Sequence, residues 1–144
     1  MFRMMQGPFL LDARLAADTV PVCDWPLCSV LLMNDSRYSW LILVPRLAGA
    51  SEIFDLSPAD RQVLWQEVTQ AAESLKALTA CRKINVGALG NVVAQLHVHV
   101  VAREAGDFAG NGPVWGQGTA VPYAHAARDH LVQRLRTELQ RGVV

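Results

Sequence analysis

The feature that most constrains this chain is one alternating segment, which runs Gln95-Leu96-His97-Val98-His99-Val100-Val101. Successive side chains of a β-strand point to opposite faces of a sheet, so this alternation predicts a strand. One face, open to solvent, would carry Gln95, His97, His99 and Val101, and the other would carry apolar side chains. The Cα atoms of the two histidines would lie about 6.5 to 7 Å apart, from the rise of a strand. One small ligand would then reach both rings.

Two histidines on one strand face allow three interpretations. They are ordinary surface histidines, two ligands of a metal ion, or an imidazole nucleophile with an imidazole helper. A catalytic zinc ion takes three protein ligands, and Gln95 is a poor third ligand, which argues against a metal site. His125 and His130, in or beside the last helical segment, are expected on the surface. The residues of this face alone leave the three interpretations open.

Short apolar runs predict the strands of an antiparallel sheet. Residues 27–33 and 40–44 flank the turn-forming residues 34–37, a pattern typical of a hairpin. Pro45 ends the second run, because proline cannot donate to a sheet ladder. Residues 83–87 alternate polar and apolar side chains, and together with the run 92–101 they predict a second hairpin.

Capping residues and periodicity predict two helices. Ser57 followed by Pro58 and Asp60 is typical of a helix N-terminus. Apolar residues then recur at spacings of three and four and should pack on the sheet: Leu64, Val68, Ala71, Leu75 and Leu78. We expect Trp65 to widen this stripe within the core. A glycine-rich loop over 104–122 precedes a second helix, from about Tyr123 or Ala126 to Gln140. This order predicts an α+β domain with an antiparallel sheet.

Composition limits the class of protein. The 144 residues are 51% hydrophobic and 18% charged, which is typical of one compact domain, here 1–144. Because 13 Lys and Arg residues balance 13 Asp and Glu residues, we expect no binding of duplex nucleic acid or of an anionic membrane. Three cysteines without paired spacing, and no apolar targeting run near residues 1–8, favour a cytoplasmic protein with reduced thiols.

The alternating segment resembles the His-x-His-x-His signature, with apolar x, of the histidine triad (HIT) superfamily of nucleotide hydrolases and nucleotidyl transferases. Gln95 stands in place of the first histidine. Further motifs in family order carry the resemblance over residues 27–103: Leu43-Val44-Pro45-Arg46, Asp55-Leu56-Ser57-Pro58, Asn85-Val86-Gly87 and Gly90-Asn91. The stretch Gly112-Pro113-Val114-Trp115-Gly116 is similar to a C-terminal element of a bacterial branch with the same Gln-x-His-x-His variant.

The resemblance implies a HIT-like fold and assigns chemistry to the three polar residues of the segment. His97 would attack the α-phosphorus of a nucleotide and form a nucleotidyl-histidine intermediate that water hydrolyses. His99 would contact phosphate oxygens. Gln95 can donate and accept hydrogen bonds but cannot titrate near neutrality, so it would orient a loop carbonyl or a leaving-group oxygen instead of handling a proton.

The resemblance also implies which residues bind the nucleotide. These are Asn34, placed to contact ribose hydroxyls, and Asn85, Gly90 and Asn91 near the sugar and the α-phosphate. Arg46 and Arg103, at strand ends, are candidates for neutralising outer phosphates. Trp115, in the glycine-rich loop, is a candidate for covering a base or a partner subunit.

The function implied is cleavage of an α-phosphate bond in a dinucleoside polyphosphate or a nucleoside phosphoramidate. The enzyme would bind a purine nucleotide, use no metal or other cofactor, and form a homodimer. The alternative is a nucleotide-binding module with little turnover, because Gln95 replaces the first histidine of the triad.

Overall fold

The computed structural model describes residues 7–141, which fold as a mixed α+β structure, and this confirms the predicted fold class. Eight helices and strands follow one another along the chain: α1 (Ala13–Asp18), β1 (Thr19–Asp24), β2 (Cys28–Met33), β3 (Ser39–Pro45), α2 (Pro58–Thr79), β4 (Lys83–Gly87), β5 (Val98–Arg103) and α3 (His125–Arg141). A short 3-10 helix over Ile53–Asp55 precedes α2.

The five strands form one antiparallel sheet in the order β1-β2-β3-β5-β4. Both predicted hairpins are present, as the pairs β2–β3 and β4–β5. Strand β1 was not predicted, because Pro21 interrupts its apolar pattern. An edge strand tolerates proline, and the pairing of β1 with β2 shifts register between Pro21 and Cys23.

One face of the sheet is covered by the two long helices. Helix α2 begins where predicted, and the Ser57 hydroxyl accepts a hydrogen bond from the Asp60 amide at 3.1 Å. Its apolar stripe, including Leu64, Val68 and Leu75, is buried in the main core with α3. Trp65 is a correction: it is 47% exposed. It follows Leu64 by one residue, about 100° around the helix, which turns its side chain away from the sheet.

The other face of the sheet was predicted to be open to solvent around the histidines, and that prediction is wrong. A second apolar cluster covers it, built from α1, β2, the turn before β3, β3, β5 and the glycine-rich loop: Leu15, Leu31, Tyr38, Trp40, Ile42, Val44, Val101 and Val114. Consequently both His97 and His99 are buried. Both sets of alternating side chains are therefore buried: Leu96, Val98 and Val100 lie in the main core, and the histidines lie under the second apolar cluster.

Within residues 7–141, no helix has both the length and the apolar character that a membrane span requires. The expectation about an N-terminal targeting run falls mainly on residues 1–6, which lie outside the described residues.

Candidate active site

His97 does not lie on a strand, because β5 begins only at Val98. The predicted run 92–101 is therefore a strand only in its last residues. The pairing register explains this limit: β4 ends at Gly87, opposite His99, so residues before Val98 have no partner on β4. The backbone amide of Leu96 donates instead to the Ala50 carbonyl at 2.9 Å. The connection between β4 and β5 thus carries His97 next to the loop that precedes α2.

The hydrogen bond of His97 fixes its tautomer. Its Nδ1 lies 2.6 Å from the backbone carbonyl oxygen of Gln95. A carbonyl oxygen only accepts, so Nδ1 carries the proton and Nε2 of the neutral ring has a free lone pair. Such an imidazole is a nucleophile with its reactive nitrogen on the side of the ring away from the bound backbone.

His99 has the opposite tautomer. Its Nδ1 accepts a hydrogen bond from the indole Nε1–H of Trp40 at 3.0 Å. Tryptophan is a donor only, so the proton of neutral His99 must lie on Nε2. Burial, and secondarily the charge of nearby His97, lowers the pKa of His99 to about 3. His99 is therefore a neutral Nε2–H donor across the physiological pH range.

The two rings are neighbours, with centroids 4.9 Å apart and planes at 66°. The Trp115 ring packs edge-on against His99, with centroids 5.2 Å apart. It also fills the space above Gly87, where a Cβ atom would come within 2.9 Å of the indole. Trp115 therefore covers His99 of its own chain, a contact that the sequence did not reveal.

Both polar atoms of the Gln95 side chain form hydrogen bonds with the N-terminal segment. Its Oε1 accepts from the Asp12 amide and its Nε2 donates to the Leu10 carbonyl, both at 2.8 Å. A carboxamide matches a peptide backbone in this way because it offers one acceptor and a donor side by side. Asp12 also caps α1, accepting from the Arg14 amide at 2.8 Å. Gln95 thus holds the start of α1 beside the histidines.

A cleft of about 270 Å³ opens beside His97. Gln95, Leu96 and His97 form one wall, the segment 51–54 forms another, and 88–90 forms the rim. Gly90 has a φ of +82°, a conformation that side-chain-bearing residues rarely adopt. Gly90 thus lines the cleft, and Asn91 follows it on the exposed surface.

The structure places Asn34 elsewhere. It lines a different cleft, of about 410 Å³, which Trp40 and Trp115 also line, and this cleft shares no lining residue with that at His97. The side-chain Oδ1 of Asn34 accepts a hydrogen bond from the Tyr123 backbone amide at 2.9 Å. That oxygen serves the fold, by fixing the chain just before α3.

Asn85 and Arg103 bind each other. Arg103 donates to Asn85 Oδ1 at 2.9 Å, to the carbonyls of Gly110 and Gly112, and through two parallel bonds of 2.8 Å to the Asp107 carboxylate. A guanidinium has five N–H donors, so Arg103 is saturated. Arg103 therefore has no N–H left for an outer phosphate, a role for which it was a candidate, and it anchors the glycine-rich loop.

Arg46 has a structural partner as well. Its Nη2 donates to the Trp25 carbonyl at 2.5 Å, and its Nη1 lies 3.6 Å from the Asp24 carboxylate. These contacts tie the end of β3 to the turn between β1 and β2. Neither arginine that was a candidate for phosphate binding lines the cleft at His97.

His125 and His130 are exposed, as expected. Within residues 7–141, no group of three or more His, Cys, Asp or Glu side chains is arranged to hold a metal ion.

Burial of His99 has a consequence for stability below neutral pH. The unfolded chain takes up a proton near pH 6.5, whereas folded His99 stays neutral until about pH 3. We therefore expect the free energy of unfolding to fall by up to about 1.4 kcal/mol per pH unit below 6.5. Between pH 6.5 and 5, urea titrations should show this fall in the native protein. A His99→Asn variant should lose most of it and an exposed His130→Asn variant should keep it; an unchanged slope in His99→Asn would contradict the burial argument.

The model of the HIT domain matches residues 14–106. No curated protein matches the sequence. A histidine triad (HIT) protein from Sinorhizobium meliloti 1021 has a TM-score of 0.88 and 46% identity, over 90% of this chain and 96% of its own.

Two further crystal structures are similar over nearly the whole chain. A histidine triad protein from Marinobacter aquaeolei VT8 has a TM-score of 0.92 and 42% identity, covering 95% of this chain and 100% of its own. A histidine triad protein from Bradyrhizobium japonicum has a TM-score of 0.90 and 39% identity, covering 92% of this chain and 99% of its own.

Proposed function

The chain belongs to the HIT domain family, and from this premise we propose that it binds a purine nucleotide and cleaves a bond at the α-phosphorus through His97. The observation that carries the proposal is the 2.6 Å hydrogen bond between His97 Nδ1 and the Gln95 carbonyl. It leaves the Nε2 lone pair free beside a cleft that is large enough for a phosphoryl group.

The proposed reaction has two steps. First, the Nε2 lone pair of His97 forms a bond to phosphorus, and the bond from phosphorus to the leaving group breaks with its electron pair. The ring then carries a positive charge, which the Gln95 carbonyl stabilises at Nδ1–H. In the second step water attacks phosphorus, the N–P electron pair returns to Nε2, and a proton of water passes to solvent. A nucleoside monophosphate and the free enzyme result.

His99 would stabilise the charge that develops on the phosphate oxygens. It is neutral and its proton is fixed on Nε2 by Trp40, so it is a preorganised donor that needs no reorganisation during the reaction. The ring lies next to that of His97, with centroids 4.9 Å apart, which supports the proposal that donor and nucleophile act on one phosphate group.

Of the proposed nucleotide-binding residues, Gly90 lines the cleft at His97 and Asn34 lines the separate cleft beside Trp115. Gly90 and Asn91 are proposed to contact the phosphate, because Gly90 lines the cleft at His97 and Asn91 follows it. Asn34 and Asn85 are proposed to donate from their side-chain NH2 groups to a sugar, while the Oδ1 of each accepts one protein hydrogen bond. Substrates of the proposed enzyme share a purine nucleoside 5′-phosphoryl group, as in dinucleoside polyphosphates and nucleoside phosphoramidates.

The second candidate function is nucleotide binding with little turnover. The specific observation in its favour is Gln95, whose carboxamide is bound to the backbone of Leu10 and Asp12. Because an amide does not titrate near neutrality, Gln95 supplies no proton to a leaving group. Rapid mixing of excess enzyme with substrate separates the two functions, because a binding module releases no product in the first turnover.

We also propose a homodimer and a cytoplasmic location. Strand β4 lies at an edge of the sheet, where Val86 is 43% exposed, and an open edge can pair with a second copy. The three cysteines are free, which suits a reducing compartment.

Nucleotide binding without metal gives a direct test of the binding step. We expect AMP or GMP at 100 times its Kd to stabilise the protein by about 2.7 kcal/mol. The thermal midpoint should rise equally with and without EDTA, and adenosine, which lacks the phosphate, should protect less. If EDTA removes both the protection and the activity, the site depends on a metal and the proposal is wrong.

A further inference from the structure

The residues that line the cleft at His97 indicate which leaving group the site accepts. The leaving group departs from phosphorus on the side away from the nucleophile. The proposal below rests on the proposed function and concerns only this part of the substrate.

Exposed apolar side chains gather around the cleft. Phe54 and Leu89 line it and are 70% and 45% exposed. Leu10, 77% exposed, belongs to the segment held by Gln95, and Val92, 74% exposed, lies two residues beyond Gly90. Large apolar side chains exposed together on a folded protein usually mark a contact surface for a ligand or partner. Phe54 and Leu89 place such side chains in the same cleft as His97.

The charge of the cleft opposes an anionic leaving group. Of the described residues, neither Lys nor Arg lines the cleft, and the only carboxylate that lines it is Glu52. The Asp55 carboxylate lies beside it and accepts bonds from the amides of Ser51 and Glu52 at 3.0 and 2.9 Å. Arg103 is committed to the glycine-rich loop, Arg46 Nη2 donates to the Trp25 carbonyl, and neither arginine lines the cleft. A polyphosphate would therefore enter a site that offers no cation to its departing charges.

The leaving group must also depart without a proton from the triad residues. Gln95 is bound to the backbone and cannot titrate, and the pKa of His99, lowered by burial, keeps that ring neutral. A group that is stable as an anion leaves readily in such a site, whereas an alkoxide does not. The leaving group must therefore be a good one, and it must be uncharged and apolar while it is bound.

Among compounds that share the purine nucleoside 5′-phosphoryl group, we propose that the preferred substrate is an aryl ester of a nucleoside 5′-monophosphate, whose aromatic ring contacts Phe54 and Leu89. The ring lies in the apolar cleft while His97 Nε2 forms its bond to phosphorus. The P–O bond to the ring then breaks, and its electron pair leaves as a phenolate that takes a proton from solvent. Water next releases the nucleoside monophosphate from Nε2.

The test compares three adenosine substrates that differ only in the leaving group. These are the 5′-(4-nitrophenyl) phosphate ester, diadenosine tetraphosphate, and the 5′-phosphorofluoridate, whose small leaving group needs no cleft. We expect kcat/KM for the aryl ester to exceed that for diadenosine tetraphosphate by at least about 10²-fold, a difference of about 2.7 kcal/mol. Phe54→Ser and Leu89→Ser should each lower the ratio of aryl ester to phosphorofluoridate activity about tenfold.

Trp65→Ser is the matched control, since Trp65 is an exposed aromatic residue on α2 outside the cleft, and its ratio should equal that of the native protein. Preference for the tetraphosphate, or an unchanged ratio in both cleft variants, would overturn the aryl ester. If the phosphorofluoridate is inert as well, the proposed function itself fails, so the two failures are distinct.

Discussion

Replacement of His97 by alanine is expected to lower kcat for release of the nucleoside monophosphate by at least about 10⁴-fold, as loss of a covalent nucleophile does in other enzymes. The reason is geometric: His97 Nδ1 is bound to the Gln95 carbonyl, and only its Nε2 is available to form the bond to phosphorus. Loss of the His99 donor, in His99→Ala, should cost less, about 10²- to 10³-fold. Steady-state rates measured with one substrate at saturation give both values.

The burial of His97 makes a stability control necessary in this experiment. Because His97 is buried rather than solvent-facing, the alanine variant should also lose about 1 to 3 kcal/mol of stability. Urea titration must therefore show that it is folded at the assay temperature. His130→Ala, at an exposed position, should retain full activity. Activity of His97→Ala within threefold of the native enzyme would remove His97 from the mechanism.

The second large effect is expected at Arg103. Replacement by methionine leaves the buried Asp107 carboxylate without its two guanidinium bonds. Removing one partner of a buried ion pair typically costs about 3 to 5 kcal/mol. The same change releases the carbonyls of Gly110 and Gly112 and therefore loosens the loop that carries Trp115. We expect unfolding at a much lower urea concentration and faster proteolysis within residues 104–118.

An exposed ion pair provides the comparison for Arg103. Arg141 lies 3.6 Å from Glu138 with its side chain 72% exposed, and Arg141→Met should change the stability by no more than about 0.5 kcal/mol. The double variant Arg103→Met with Asp107→Leu should recover part of the loss, since it leaves no unpaired charge. A cost below about 1 kcal/mol for Arg103→Met alone would show that the loop does not depend on this anchor.

The sequence predicted those elements whose signals are local. Each of three such signals depends on residues close together in the sequence, and all three elements lie where expected. They are the cap formed by Ser57 and Pro58, the apolar stripe of α2, and the polar turn between β2 and β3. The pairing of His97 with His99 likewise followed from a spacing of two, and their rings are neighbours.

What the sequence could not show depends on contacts between distant segments. The start of β5 at Val98 is set by where β4 ends, and no residue near position 98 signals it. The hydrogen bond between Trp40 and His99 joins residues 59 positions apart in the sequence, and the one between Gln95 and Leu10 joins residues 85 positions apart. The burial of the histidine face follows from α1 and the glycine-rich loop. Asp12 ahead of a short alanine-rich run was the one available signal for α1.

The covalent intermediate is the central claim, and intact-mass analysis of the protein tests it most directly. Enzyme in excess is mixed with the adenosine 5′-(4-nitrophenyl) phosphate ester and stopped at short times in alkali, because a P–N bond to histidine is labile in acid. The proposed mechanism predicts a transient species heavier by one AMP less water. Peptide mapping should place it on His97, and it should be missing from His97→Ala. Turnover with no such adduct, or an adduct on another residue, would contradict the mechanism.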